Sequence, residues 1–99
     1  MGLGQPFNVT QYAALNHMVA QVVGMEPLEL CWTAVDAHVY NNHLDALKDQ
    51  VKLTPLDHCI PRLKLNPKIT DIDAFTIDDI EVIDYEHYQA LTDRMPVAV

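Results

Sequence analysis

Ninety-nine residues is the length of one small domain, and no shift of composition divides the chain, so residues 1–99 are expected to form a single unit. Fourteen acidic against six basic residues leave a net charge of −8, which repels nucleic acid, and no basic stripe offsets it. A hydrophobic content of 49% is generous for a chain whose core must be thin, and it implies apolar surface meant for a partner or for further parts of the same protein. Cys31 and Cys59 form neither a CxxC pair nor a disulfide framework and read as free thiols of a reducing compartment. There is no signal-peptide pattern and no membrane-length apolar run, and Pro6 breaks the myristoylation motif, so the expected setting is cytoplasmic and soluble.

Residues 1 to 8 read as a Gly- and Pro-containing lead-in. From Thr10 to Val23 the apolar positions Tyr12, Leu15, Val19, Val22 and Val23 recur at helical spacing, with Asn8 or Thr10 as the expected cap and Gly24 as the stop. Met18 widens the stripe, which predicts a helix buried on most sides. The run LELCWTAVDAHVY, residues 28 to 40, is rich in β-branched and aromatic residues and predicts a long strand. Period-two alternation puts Leu28, Leu30, Trp32, Ala34, Asp36, His38 and Tyr40 on one face, which turns from apolar to polar partway along. A second helix is expected over residues 42–53, with Leu44, Leu47 and Val51 on one face and Pro55 as the stop. Its charges, Asp45 early and Lys48 and Lys52 late, suit the helix dipole. Short strands are predicted at 63–65 and 79–85, with a helical turn at 71–77 between them. The resulting fold class is α/β (α+β).

The polar cluster in VDAHVYNNH admits two chemistries. Asp36, His38 and His43 could supply a carboxylate and two nitrogens to a metal, but the histidines straddle an expected strand-to-helix junction and have no helical i, i+4 spacing, so no metal is expected. Cys59 follows His58 directly, a spacing that seldom aims a base at a nucleophile, and Cys31 falls on the strand face opposite His38. Neither is a convincing nucleophile. GLGQPFN lacks the pattern of a phosphate-binding glycine loop. It does carry Asn8, whose primary amide sets an acceptor beside a donor and can pair with a planar heterocycle.

Three segments together resemble one family. GLGQPFNVTQYAALNHMVA, DAHVYNNH and the terminal PVAV are similar in kind, order and separation to the C-terminal part of thymidylate synthase, and the resemblance extends over essentially all 99 residues. It implies the C-terminal portion of an α/β protein that forms symmetric dimers. The implied reaction is reductive methylation of deoxyuridine monophosphate (dUMP), with 5,10-methylenetetrahydrofolate giving both the carbon and the hydride. By the same resemblance Asn8 reads the uracil ring, and His38 and Tyr40 bind the deoxyribose 3′-hydroxyl. Leu3, Gly4 and Phe7 line the folate side, and the carboxylate of Val99 helps close the site. Asp36 also matches a family aspartate, taken as structural.

The family's Pro-Cys-His nucleophile segment, its phosphate-binding arginines and its Arg-Ser-x-Asp run have no counterpart in these residues, so no catalytic residue is assigned and the chain is expected to be inactive alone. EHYQALTDR also departs from the family's Pro-His-Pro turn. Two alternatives stand beside this reading. One is part of a deoxyuridylate hydroxymethylase, with Asn8 arguing against the cytidylate form. The other is a non-catalytic truncated module that pairs with a partner chain. The expected association is a homodimer or a union with the absent N-terminal part, without nucleic acid or membrane.

Overall fold

The computed structural model describes residues 1–56 and 60–96. Helix α1 spans Gly4–Val23, so it starts six residues before the expected Thr10. Pro6 falls in its first turn, where a missing N–H leaves no bond unmade, and the supposed lead-in is therefore helical. Neither expected residue caps this helix. Leu3 stands at the cap without a side-chain bond, Asn8 lies inside the helix, and the Thr10 hydroxyl donates back to the Pro6 carbonyl at 2.9 Å. The stop is where the sequence places it. Gly24 adopts φ 71°, and the Met25 amide behind it closes on the Ala20 carbonyl at 2.8 Å.

Two further expectations give way. Helix α1 is not buried on most sides: only Ala20 is buried, while Tyr12, Leu15 and Val19 are exposed. Residues 28–40 form no strand either. A strand needs a neighbour to take its N–H and C=O groups, and no other described segment pairs with this one. Its apolar side chains accordingly face outward, with Leu28 at 93% of full exposure.

A 3₁₀ turn, Asn41–His43, leads into helix α2, Leu44–Gln50. Asp45 sits in the first turn of α2 and Lys48 in its last, as the dipole favours. Single turns carry the chain on to Leu53, so the expected 42–53 helix is present in shortened form. Gly2 packs against α2: a Cβ there would lie 3.0 Å from Leu47 Cδ2, so a larger residue would require the Leu47 side chain to shift by a few tenths of an ångström.

Strands β1, Arg62–Leu65, and β2, Ile80–Ile83, pair antiparallel, with Leu63 opposite Val82 and Lys64 opposite Glu81. Ion pairs Lys64–Glu81 (3.2 Å) and Arg62–Asp84 (2.7 Å) decorate the hairpin. The expected 71–77 turn resolves into two 3₁₀ turns, Ile72–Ala74 and Ile77–Asp79. Asp79 organises this connection, accepting from the Asn66 amide at 2.7 Å and from the Thr76 backbone and hydroxyl at 2.9 and 2.7 Å. Gln21 ties α1 to it. One side-chain amide donates to both the Asn66 and Ile69 carbonyls at 2.9 Å.

The core is correspondingly small, with Ala20, Ala46, Met95 and His43 buried among the described residues. The radius of gyration is 16.4 Å, against about 13 Å for a compact chain of this length. The accessible surface is 8245 Å², where a compact monomer of 11.2 kDa would expose about 5700 Å². The excess, about 2500 Å², has the size of an obligate interface.

Candidate functional site

His38 and Tyr40 lie on the stretch just before the 3₁₀ turn. Their ring centroids are 5.6 Å apart at 42°, so alternate residues put both rings on one side even without a ladder. Both are accessible. Asp36 Oδ1 stands 3.8 Å from His38 Nδ1, with the aspartate almost fully exposed, a weak surface pair. The Met1 amino group donates to the His38 carbonyl at 3.2 Å, which draws the start of α1 toward this pair.

Asn8 lies one turn into α1 with its side chain exposed. Among the described residues no hydrogen bond joins it to His38 or Tyr40, so its amide is available and not spent on the fold. Leu3 and Phe7 line a cavity of about 650 Å³ shared with Leu53, Pro55, Tyr85 and Met95. Gly4 stands at the first position of α1 outside that lining. Val99 and Cys59 lie outside the described residues. Cys31 is an exposed free thiol.

The trio Asp36, His38 and His43 does not converge: among the described residues no group of three His, Cys, Asp or Glu side chains is placed to hold a metal. His43 is instead buried at 4% exposure, with Nε2 2.7 Å from the Pro96 carbonyl and its ring edge-on to Tyr40 at 5.3 Å. This contact spans 53 residues, and nothing in the residue pattern around position 43 announces it. Asn42 likewise donates to the Pro96 carbonyl at 3.2 Å. Two carboxylates are perturbed by their partners. The Arg94 guanidinium, then Lys52, holds Asp49 below the usual carboxylate range, and the Asn66 amide, then Thr76, does the same for Asp79.

The thymidylate synthase family model matches residues 1–99, the whole chain. The chain belongs to the thymidylate synthase family. Thymidylate synthase of Saccharomyces cerevisiae is 45% identical over 97 residues, which are 98% of this chain and 31% of the yeast protein. The bifunctional dihydrofolate reductase-thymidylate synthase of Plasmodium chabaudi is 44% identical over 92 residues, 93% of this chain and 15% of that protein. The fold agrees. Thermostable thymidylate synthase A from Bacillus subtilis superposes with a TM-score of 0.84 at 43% identity, covering 91% of this chain and 32% of that one. The α/β class is therefore established, and the chain spans about a third or less of the length of these relatives.

Proposed function

We propose that these residues supply the pyrimidine, sugar and part of the folate contacts of a thymidylate synthase, and that the 99-residue chain alone does not turn over. Family membership across the whole chain supports the reaction class. The observation that carries the site is the pairing of the His38 and Tyr40 rings, 5.6 Å apart and both accessible. Two such groups can share one sugar hydroxyl, which donates to one partner and accepts from the other.

Asn8 then reads the base. Its amide oxygen accepts from uracil N3–H while its NH2 donates to O4, a two-pronged pattern that fixes the ring in its plane. Leu3 and Phe7 form an apolar wall against 5,10-methylenetetrahydrofolate, with Gly4 beside it at the start of α1. In that site folate contributes the one-carbon unit and the hydride. The chain's own part is to hold the pyrimidine flat beside the cofactor and, through Val99, to help keep water out while the transferred carbon is reduced. A homodimer, or union with the rest of the synthase, would cover the excess surface.

The test uses a full-length synthase carrying this segment. Asn8→Asp presents two acceptors where one donor is needed, and kcat/KM for dUMP falls at least about 100-fold. An unchanged value overturns the assignment of Asn8. Thymidylate formed by the 99-residue chain alone overturns its inactivity, and a hydroxymethylated product from the full-length protein overturns the synthase reading.

A further inference from the structure

His43 is the one polar side chain buried among the described residues, and no contact proposed above uses it. It ends the Asn41–His43 turn, three residues after Tyr40. That turn folds it back. The His43 N–H donates to the Tyr40 carbonyl at 2.9 Å, and the two rings meet edge-to-face, 5.3 Å apart at 66°. Aromatic pairs favour this geometry because the positive rim of one ring meets the negative face of the other.

The imidazole itself is held. Nε2 lies 2.7 Å from the Pro96 carbonyl, which can only accept, so Nε2 carries the hydrogen. Turning the ring away would leave a polar group unpaired inside the fold, which is costly. The other neighbour of Tyr40 is looser. His38 stands 5.6 Å off with its side chain 62% exposed, and its pair with Asp36 is long at 3.8 Å. Among the described residues no hydrogen bond uses the Tyr40 hydroxyl. A phenol fixed at its ring and free at its oxygen loses little side-chain freedom when a ligand binds.

We infer that His43 is a positioning residue for the nucleotide: its buried imidazole braces the Tyr40 ring and sets where the phenol oxygen stands. This deepens the proposed function and rests on it, since the group that Tyr40 meets there is the sugar 3′-hydroxyl. The consequence is selective. Loss of the brace weakens nucleotides that carry the 3′-hydroxyl and leaves those without it unaffected.

Two substitutions isolate the ring. His43→Leu and His43→Phe both lose the bond to Pro96, whose carbonyl keeps the Asn42 amide at 3.2 Å, but only His43→Phe retains a ring against Tyr40. In a full-length synthase carrying the segment, His43→Leu should raise Kd for dUMP about fivefold, the middle of what an edge-to-face ring pair is worth. His43→Phe should stay within about twofold of the parent. Kd for 2′,3′-dideoxyuridine monophosphate, which lacks the 3′-hydroxyl, should be the same in all three proteins. On a Tyr40→Phe background, His43→Leu should add nothing for dUMP.

Equal weakening of dUMP and the dideoxy nucleotide by His43→Leu overturns the brace, because a general structural loss would act on both. So does a His43→Phe protein as impaired as His43→Leu. If His43→Leu fails to fold, His43→Gln keeps an N–H for Pro96, lacks the ring and carries the same expectation. A separate readout needs no nucleotide. In the 99-residue chain labelled with 3-fluorotyrosine, His43→Leu should move the Tyr40 fluorine resonance, identified by its loss in Tyr40→Phe, and leave those of Tyr12, Tyr85 and Tyr88 in place. An unmoved resonance overturns the brace. A Tyr40→Phe protein with parent affinity for dUMP refutes the sugar contact of the proposed function and the nucleotide consequence with it, while the fluorine shift still decides the brace.

Discussion

Gln21 offers the sharpest test of what joins α1 to the hairpin. Its single NH2 group donates to the carbonyls of Asn66 and Ile69, both at 2.9 Å and 45 and 48 residues away. Removing it by Gln21→Ala deletes both bonds and leaves the Ile69 carbonyl without that donor, while the Asn66 carbonyl keeps the Ile69 N–H at 3.2 Å. Each such bond contributes about 0.5–1.5 kcal/mol net. Water reaches this half-buried site, so the low half of the sum applies, about 1–2 kcal/mol. For a chain of this size that is a fall in melting temperature of roughly 5–15 °C.

Gln21→Glu sharpens the reasoning because it keeps the shape and reverses the polarity. At pH 7 its carboxylate would point acceptor oxygens at two carbonyl oxygens, so it should melt below Gln21→Ala. Protonation restores one O–H donor, so Gln21→Glu should recover relative to Gln21→Ala as pH falls through about 4.3. Thermal melts of the three proteins by circular dichroism at pH 7 and pH 4 make the comparison. An alanine variant within about 2 °C of the parent, or a glutamate variant as stable as the parent at pH 7, refutes the account.

Three more outcomes follow from the fold. Gly24→Ala, at φ 71° with open space around the added methyl, should lose about 1–2 kcal/mol from backbone strain alone, read by urea denaturation. The depressed carboxyls of Asp49 and Asp79 contribute stability that is present above the unfolded carboxyl value of about 3.9 and is lost as pH falls below it. A melting temperature followed from pH 6 to pH 2 should therefore decline below about pH 4, and Asp79→Asn should flatten that decline. The excess surface of about 2500 Å² predicts self-association or strong binding of a hydrophobic dye by the isolated chain. A dye-silent monomer in sedimentation velocity at micromolar concentration contradicts it.

Local chemistry was legible wherever one residue type has one use. Gly24 supplies the left-handed stop of α1, Asp45 and Lys48 sit at the ends of α2 that their charges favour, and the short alternating runs near 63 and 80 become β1 and β2. The family was legible too, because its motifs are continuous in the chain. The start of α1 is not legible in the sequence, because Pro6 signals a loop in general yet costs nothing in a first turn.

The alternation of residues 28–40 determined that His38 and Tyr40 point the same way, and they do. Whether that stretch becomes a strand is not a property of its own residues. It depends on a neighbour to complete the ladder, and no described segment supplies one. The tie between His43 and Pro96 is of the same kind: both residues are visible in the sequence, but only folding brings a buried donor within 2.7 Å of a carbonyl 53 residues away. Short-range sterics and periodicity are written residue by residue, whereas burial and long-range pairing belong to the packed molecule.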